Sequence, residues 1–307
     1  MKRSFFITSL NYFKRFVKNF FLKAIAKKGS AAYWSNHMVA NENWSDSEQS
    51  IEYFHWRNEQ YPGYIDLMPT SHADGLIVAD YGCGPGNDLV GFHEFSKPAK
   101  LIGIDVSESA LESAKSGLDL HDSSVEFVKV HEDSNIIPID SEYVDLVHSS
   151  GVLHHVKNIN LALSEIHRIL KIGGKLQVMV YNYNSIWLHL YTAYVLQIER
   201  QVYSDLDVLE AFRKNTDGPD CPISHCYIPS EFLELVEEIG FEGVYKGASI
   251  SLTEIALLPK RIDALKSLNL PRKHREFLSE ITFDASGWPV YRDSVAGINA
   301  CFEFVKT

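Results

Sequence analysis

A short apolar run that ends directly on three closely spaced glycines constrains this chain more than any other feature. Leu76-Ile77-Val78-Ala79-Asp80 leads into Tyr81-Gly82-Cys83-Gly84-Pro85-Gly86-Asn87, an Asp-x-Gly-x-Gly-x-Gly spacing. The run reads as a buried strand, and the glycines as the sharp turn that follows it. Without a Cβ, such a loop can turn tightly and let a ligand lie against the backbone. A helix is expected next, with its N-terminal amides facing that ligand.

The same alternation continues along the chain. Apolar runs at 101–105, 125–130, 143–148 and 175–181 read as four more strands. Ser107–Gly117 between the second and third reads as a helix capped by Ser107. Asn158–Lys171 precedes the fifth, with Leu161, Ala162, Ile166, Ile169 and Leu170 expected on one face and Gly173-Gly174 as its left-handed stop. Strands apolar on both faces and separated by helices predict a doubly wound α/β fold around a mostly parallel sheet. Ser185–Leu196 and Ser230–Ile239, the latter capped by Ser230, are expected helices. Residues 244–251 and 296–305 are expected closing strands, with insertions at about 183–229 and 253–292.

Asp105 ends the second strand, 19 residues after Gly86. A carboxylate there can accept hydrogen bonds from a ribose diol. A nicotinamide-dependent oxidoreductase is one reading, but its Gly-x-Gly-x-x-Gly fingerprint requires glycine where Asn87 stands. Asp80 before the loop also suits a cationic ligand better than a pyrophosphate.

The order of these segments resembles the class I S-adenosylmethionine-dependent methyltransferases, the small-molecule branch above all. Val78–Gly86 is similar to that family's first motif and Leu101–Asp105 to its second. Asp133–Pro138 resembles the acid-containing loop that meets the adenine. Tyr143–Val147, Gly151–Val156 and Ile166–Gly174 resemble the fourth strand, the segment after it, and the helix and turn before strand five. The resemblance spans about residues 76–182 and implies a seven-stranded, Rossmann-like sheet with S-adenosylmethionine as cofactor and S-adenosylhomocysteine as product. Carried over residue by residue, it implies that Asp80 and Gly82 line the methionine part and that Gly84 and Gly86 pass under the ribose. Asp105, with Val106 beside it, would hold the ribose hydroxyls, and Asp133 and Ser134 would meet the adenine. Ser150 and Gly151 would border the transferred methyl. The sequence departs from the pattern at Asn182, where many relatives carry His, and at His131-Glu132.

Methyl transfer from a sulfonium is chiefly a matter of positioning the acceptor. An oxygen or nitrogen acceptor can also call for a base, so His154 and His155, directly after the fourth strand, are the catalytic candidates; packing and capping are their alternative uses. Candidate substrate contacts are Arg57, Tyr53, His225, Tyr227 and Asn182. Tyr53–Tyr61 forms either a lid over the methyl donor or an aromatic core stripe. The Cys221, His225 and Cys226 spacing offers three soft ligands but no fourth, so no metal is expected.

Residues 1–30 carry eight Lys or Arg and no acid, in a chain of net charge −11. The acidic remainder does not suit nucleic acid. Phe6, Leu10, Phe13, Val17, Phe20 and Phe21 recur at helical spacing among those cations, an amphipathic arm suited to an anionic membrane surface or to the acidic body of the protein itself. Residues 31–74 are expected to cap a methyltransferase domain at 75–307. No apolar run is long enough to cross a membrane, and the four scattered cysteines fit a reduced, cytoplasmic setting, with peripheral contact at the inner membrane face through the arm. The expected activity is methyl transfer to an oxygen or nitrogen of a small molecule or glycan, lipid-linked acceptors included. The rival is a methyltransferase-like subunit that binds cofactor without turnover. Oligomeric state is not legible.

Overall fold

The computed structural model describes residues 30–37, 44–132 and 136–307. The basic arm over residues 1–28, and Asp133 and Ser134, lie outside the described residues. The first elements are helices α1 (Ser30–Asn36), α2 (Ser47–Glu59) and α3 (Tyr64–Leu67), ahead of the first strand. Asp46 caps α2 by accepting from the Gln49 amide.

The sheet follows the hydrophobic runs. Strands β1 (Ile77–Tyr81), β2 (Lys100–Asp105), β3 (Val125–Lys129), β4 (Val144–Ser150), β5 (Leu170–Tyr181) and β6 (Phe241–Ser249) are joined in one sheet by β10 (Asn299–Lys306). Its order is β3-β2-β1-β4-β5-β10-β6. The first five strands pair in parallel, and β10 runs antiparallel to both β5 and β6. The intervening helices are α4 (Asn87–Phe95), α5 (Glu108–Asp119), α6 (Ile159–Ile169), α7 (Trp187–Glu199), α8 (Val208–Thr216) and α9 (Pro229–Glu237). This is the Rossmann-like methyltransferase architecture.

Neighbouring strand residues feed opposite cores, as the period-2 pleat dictates. Val78, Leu101 and Leu146 pack with Leu89, Phe92 and Leu118 from α4 and α5. Ala79, Ile102 and Val147 pack with Ile166 of α6 and Phe232 and Val236 of α9. Both faces of the central strands are thereby dry, so these strands read as continuous apolar runs.

Several local expectations are corrected. In α6 the buried face is Ala162, Leu163, Ile166 and Ile169, whereas Leu161 is 47% exposed. Asn158 caps this helix through the Leu161 amide, which fixes its phase and turns Leu161 outward. The helix ends at Ile169, so Gly173, with φ +76°, lies inside the long β5 rather than at a helix stop. Ser230 does not cap α9: Ile228 holds that position and Pro229 takes the first helical place, where a missing N–H costs nothing. The last two strands begin at Phe241 and Asn299 rather than at 244 and 296.

The insertions at 183–229 and 253–292 fold together. The second contributes α10 (Leu252–Leu257), α11 (Arg261–Lys266), α12 (Arg272–Glu280) and a small antiparallel sheet of β7 (Thr282–Phe283), β8 (Pro289–Tyr291) and β9 (Ser294–Val295). Ile186, Leu190 and Phe212 of the first share one core with Ala264, Phe277 and Leu278 of the second. α7 is a wide π-type helix. Buried Glu254 ties the insertion to the sheet by accepting from the amides of Ser251, Trp187 and Ile298.

Candidate active site

The carboxyl ends of β2, β1, β4 and β5 open onto a cavity of about 500 Å³, the edge at which ligands bind in open α/β sheets. The loop Tyr81–Pro85 forms its floor. Gly82 has φ +80°, and a Cβ there would overlap Val152 of the next loop. Gly84 has φ +52° with open space where a Cβ would stand, so the bare backbone faces the cavity.

Asp105 lies at the end of β2 on the cavity wall. Its Oδ2 accepts the Gly84 amide at 2.9 Å and its Oδ1 the Ser107 amide at 2.7 Å. Burial raises its pKa, and the backbone amides oppose the rise. The carboxylate is locked in place with lone pairs still free, the arrangement a vicinal diol needs. Val106, Ser150 and Gly151 also line the cavity, and Ser150 Oγ is paired with the Tyr64 hydroxyl.

Asp80 and Gly86 stand behind the loop rather than on the cavity wall. Asp80 is 2% exposed, with Oδ2 unpartnered among the described residues. Burial pushes its pKa up to about 7 although His148 pulls the other way. His148 is itself buried, 3.7 Å from Asp88. Asp88 is held well below the carboxylate range, against the effect of burial, by Arg57, which hydrogen-bonds it with its guanidinium. Arg57 reaches the cavity, but its charge is already met by Asp88.

The two histidines part company. His154 is fully buried, absent from the cavity wall, and packed at a tilt with its ring centroid 3.9 Å from that of Tyr181 and 4.1 Å from that of His155. Neither of its nitrogens has a hydrogen-bond partner among the described residues, and burial depresses its pKa well below the usual histidine value. His155 lines the cavity beneath the Trp34 ring, 4.7 Å between centroids. Its Nδ1 donates to the Ile223 carbonyl at 2.7 Å, and Nε2 lies 3.5 Å from Asp217 Oδ1. Burial opposes a charge on His155, yet Asp217 prevails and its pKa rises to about 9. Asp217, also on the wall, takes hydrogen bonds from the hydroxyls of Tyr181 (2.7 Å), Thr216 (2.8 Å) and Ser224 (2.9 Å).

The remaining substrate candidates lie off the cavity wall. His225 is exposed, and its amide donates to the His154 carbonyl. Tyr227 packs on Phe232. Asn182 is 1% exposed, and its side-chain amide holds the 182–184 turn and the Gly297 carbonyl. Tyr53 is buried against Trp44 and Trp56. Of the aromatic segment before β1, Tyr61 and Tyr64 reach the cavity. Sequence reasoning did not single out Trp34, Tyr64, Tyr181 and Asp217 as site residues, although all four line the wall. The available signal was the segment Asp217 through Tyr227, a candidate substrate loop from which His225 and Tyr227, rather than the acid at its head, are the residues named above.

Residues 79–178 match the model of a methyltransferase domain family. Over 134 residues the chain is 27% identical to the chloroplastic 2-methyl-6-phytyl-1,4-hydroquinone methyltransferase of Arabidopsis thaliana, covering 44% of this chain and 38% of that protein. It is equally identical over 169 residues to an uncharacterized 37.1 kDa protein in transposon TN4556 of Streptomyces fradiae, covering 54% of this chain and 44% of that one. The matched stretch thus spans less than half the length of either relative. Two solved structures share the fold at a TM-score of 0.50. One is an S-adenosylmethionine-dependent methyltransferase from Mesorhizobium loti (17% identity, 80% of this chain, 97% of that one). The other is the geranyl diphosphate C-methyltransferase of Streptomyces coelicolor (15%, 92% and 98%), solved with Mg2+, geranyl diphosphate and S-adenosyl-L-homocysteine. Sheet order, glycine loop and cavity define a class I methyltransferase domain. Residues 79–178 are thus similar to a methyltransferase domain, and the fold around them is that of the S-adenosylmethionine-dependent methyltransferases.

Proposed function

We propose that this chain transfers the methyl group of S-adenosylmethionine to an oxygen or nitrogen of a small, largely apolar acceptor. The observation that carries this reading is the make-up of the cavity at the carboxyl ends of the strands. Its β1 and β2 side offers bare backbone and a preorganised carboxylate, and its β5 side offers aromatic rings around the His155–Asp217 pair. Asp105 would accept the ribose hydroxyls, Gly82 and Gly84 would pass beneath the cofactor, and Ser150 and Gly151 would flank the sulfonium. Val106 would border the adenine, which Asp133 and Ser134 are expected to meet.

The cofactor supplies an activated methyl group and a good leaving group. The protein's share is to align the acceptor and exclude water. Trp34, Tyr61, Tyr64 and Met179 offer apolar walls for that purpose. His155 and Asp217 are the polar groups placed to orient the acceptor heteroatom. Of the two catalytic candidates, His155 has this role, since His154 does not reach the cavity. Such walls suit a ring-bearing acceptor better than an extended glycan, and a relative's name includes a hydroquinone.

Calorimetry with S-adenosylmethionine and with NAD, followed by S-adenosylhomocysteine release over a panel of phenols, amines and sugars, tests the reading. Binding of S-adenosylmethionine alone and turnover with ring-bearing hydroxyl or amine acceptors is expected. Binding of NAD in its place would overturn it. Cofactor binding without turnover on any acceptor would favour the non-catalytic subunit.

A further inference from the structure

The loop after α8 turns at Gly218, where φ is +98°, and the Cys221 amide closes the turn on the Gly218 carbonyl. The turn brings Asp217 and Cys221 together against His155 from the loop after β4. One ligand-type atom from each of the three residues lies within 4.8 Å of the other two. Cys221 is fully buried, and the side chains of His155 and Asp217 are each 7% exposed, at the cavity wall.

We propose that His155, Asp217 and Cys221 form a binding site for a thiophilic divalent cation of the Zn2+ type, with its fourth position open to the cavity. One nitrogen, one oxygen and one sulfur donor suit zinc and are a poor match for magnesium or calcium, which take oxygen ligands. Three protein ligands with a free fourth place is the pattern of zinc sites that act on a substrate.

The spacing is close to what such an ion requires. Ligands at about 2.0–2.3 Å around a tetrahedral centre stand roughly 3.3–3.8 Å apart. Nε2 of His155 and Oδ1 of Asp217 are 3.5 Å apart, long for a hydrogen bond and right for two ligands of one ion. Cys221 Sγ is 4.0 Å from Nδ1 of the same ring, so completing the set on Nε2 requires the sulfur to shift toward that nitrogen.

The groups that orient metal ligands are in place as well. His155 donates Nδ1–H to the Ile223 carbonyl, which sets the tautomer and aims Nε2 at Asp217. The Asp217 carboxylate is steadied by three hydroxyls, from Tyr181, Thr216 and Ser224. Arg213 grips the Cys221 carbonyl and holds the turn. Binding would release the Cys221 thiol proton and the Nε2 proton of His155 to solvent. The Sγ–H bond to the Ile223 carbonyl, 3.2 Å now, would be given up.

Placed there, the ion deepens the methyl-transfer reading by naming what holds the acceptor. An acceptor hydroxyl would take the fourth position and lose its proton more readily. The existence of the ion site stands apart from that reading, and its test needs no acceptor. Full-length protein is stripped with a chelator and titrated with Zn2+ by calorimetry and with Co2+ by absorption, while S-adenosylmethionine binding is followed in parallel.

Saturable uptake of one ion, a thiolate-to-cobalt charge-transfer band, and no comparable uptake of Mg2+ are expected. Cys221→Ser should abolish the band and weaken Zn2+ binding by at least about tenfold, while Cys226→Ser and His225→Ala leave both unchanged. Retained S-adenosylmethionine affinity in Cys221→Ser shows that the variant is folded. No saturable uptake, or uptake that Cys221→Ser does not weaken, would overturn the site. If S-adenosylmethionine still binds under those conditions, the methyltransferase assignment survives its loss.

Discussion

Asp105 is the residue on which the cofactor reading can be tested most cleanly. It faces the cavity and takes part in no ion pair among the described residues, so its substitution should leave the sheet intact. Asp105→Ala is expected to weaken S-adenosylmethionine binding by about 1.5–3 kcal/mol, the scale of hydrogen bonds to a charged group. Unchanged affinity by calorimetry would remove Asp105 from the ribose. The glycines behave as a contrasting pair. Gly82→Ala meets Val152 as well as a positive φ, so it should lower the melting temperature more than backbone strain alone, which costs about 1–2 kcal/mol. Gly84→Ala incurs only that strain but fills open cavity space, so it should lose cofactor affinity with a smaller change in melting temperature. Equal melting shifts in the two variants would count against this division. The loop, the strand before it and Asp105 were legible because their constraints are local in sequence. Asp217 and Trp34 were not. They are 62 and 121 residues from His155, and no periodicity encodes which loops meet over a sheet edge. Asp80 was legible as a carboxylate but not as a buried one, because depth behind the loop depends on Arg57, Asp88 and His148 arriving from other elements.

At the scale of elements, the two insertions hold a buried polar pair that should make stability depend on pH. His189 on α7 and His274 on α12 face each other at 2.9 Å between Nδ1 atoms, so one ring donates and the other accepts. The accepting ring must be neutral for this, and burial keeps both rings so, pushing His274 down to about 4 and His189 well below the ordinary value. The unfolded chain takes up a proton near pH 6.5 and the folded one does not until lower pH. Stability from this pair is therefore complete above about pH 6.5 and is lost as pH falls toward 4, by up to about 3 kcal/mol for His274 alone. His274→Gln should flatten the fall in melting temperature between pH 6.5 and 4.5. Parallel curves for the two proteins would show that the pair is not the titrating element. The sequence showed that helices stand here but not that they pair, because amphipathic stripes announce a buried face without naming what covers it.

At the scale of the whole molecule, charge is strongly segregated, with the cations of residues 1–30 set against an acidic remainder. Among the described residues, no helix is long and apolar enough to cross a membrane. The arm predicts attachment of a different kind: co-sedimentation with anionic vesicles at low salt and release at high salt, at about 1 kcal/mol per cation near the surface before orientation and screening losses. Replacing all eight lysines and arginines of residues 1–30 with Gln should abolish sedimentation and leave S-adenosylmethionine affinity unaltered. Sedimentation that persists in the variant would assign the attraction elsewhere.

The common core of the two insertions bears on how acceptor preference can be moved between relatives. Asp217 and Cys221 ride on the first insertion, yet the apolar side chains that steady it come partly from the second, some fifty residues further along and beyond β6. A graft that exchanges one segment alone leaves half of a hydrophobic interface facing water, and such chimeras should aggregate whatever their active sites look like. Under the function proposed above, acceptor preference is therefore portable only as a two-piece cassette, and any library meant to diversify it must vary both pieces in step.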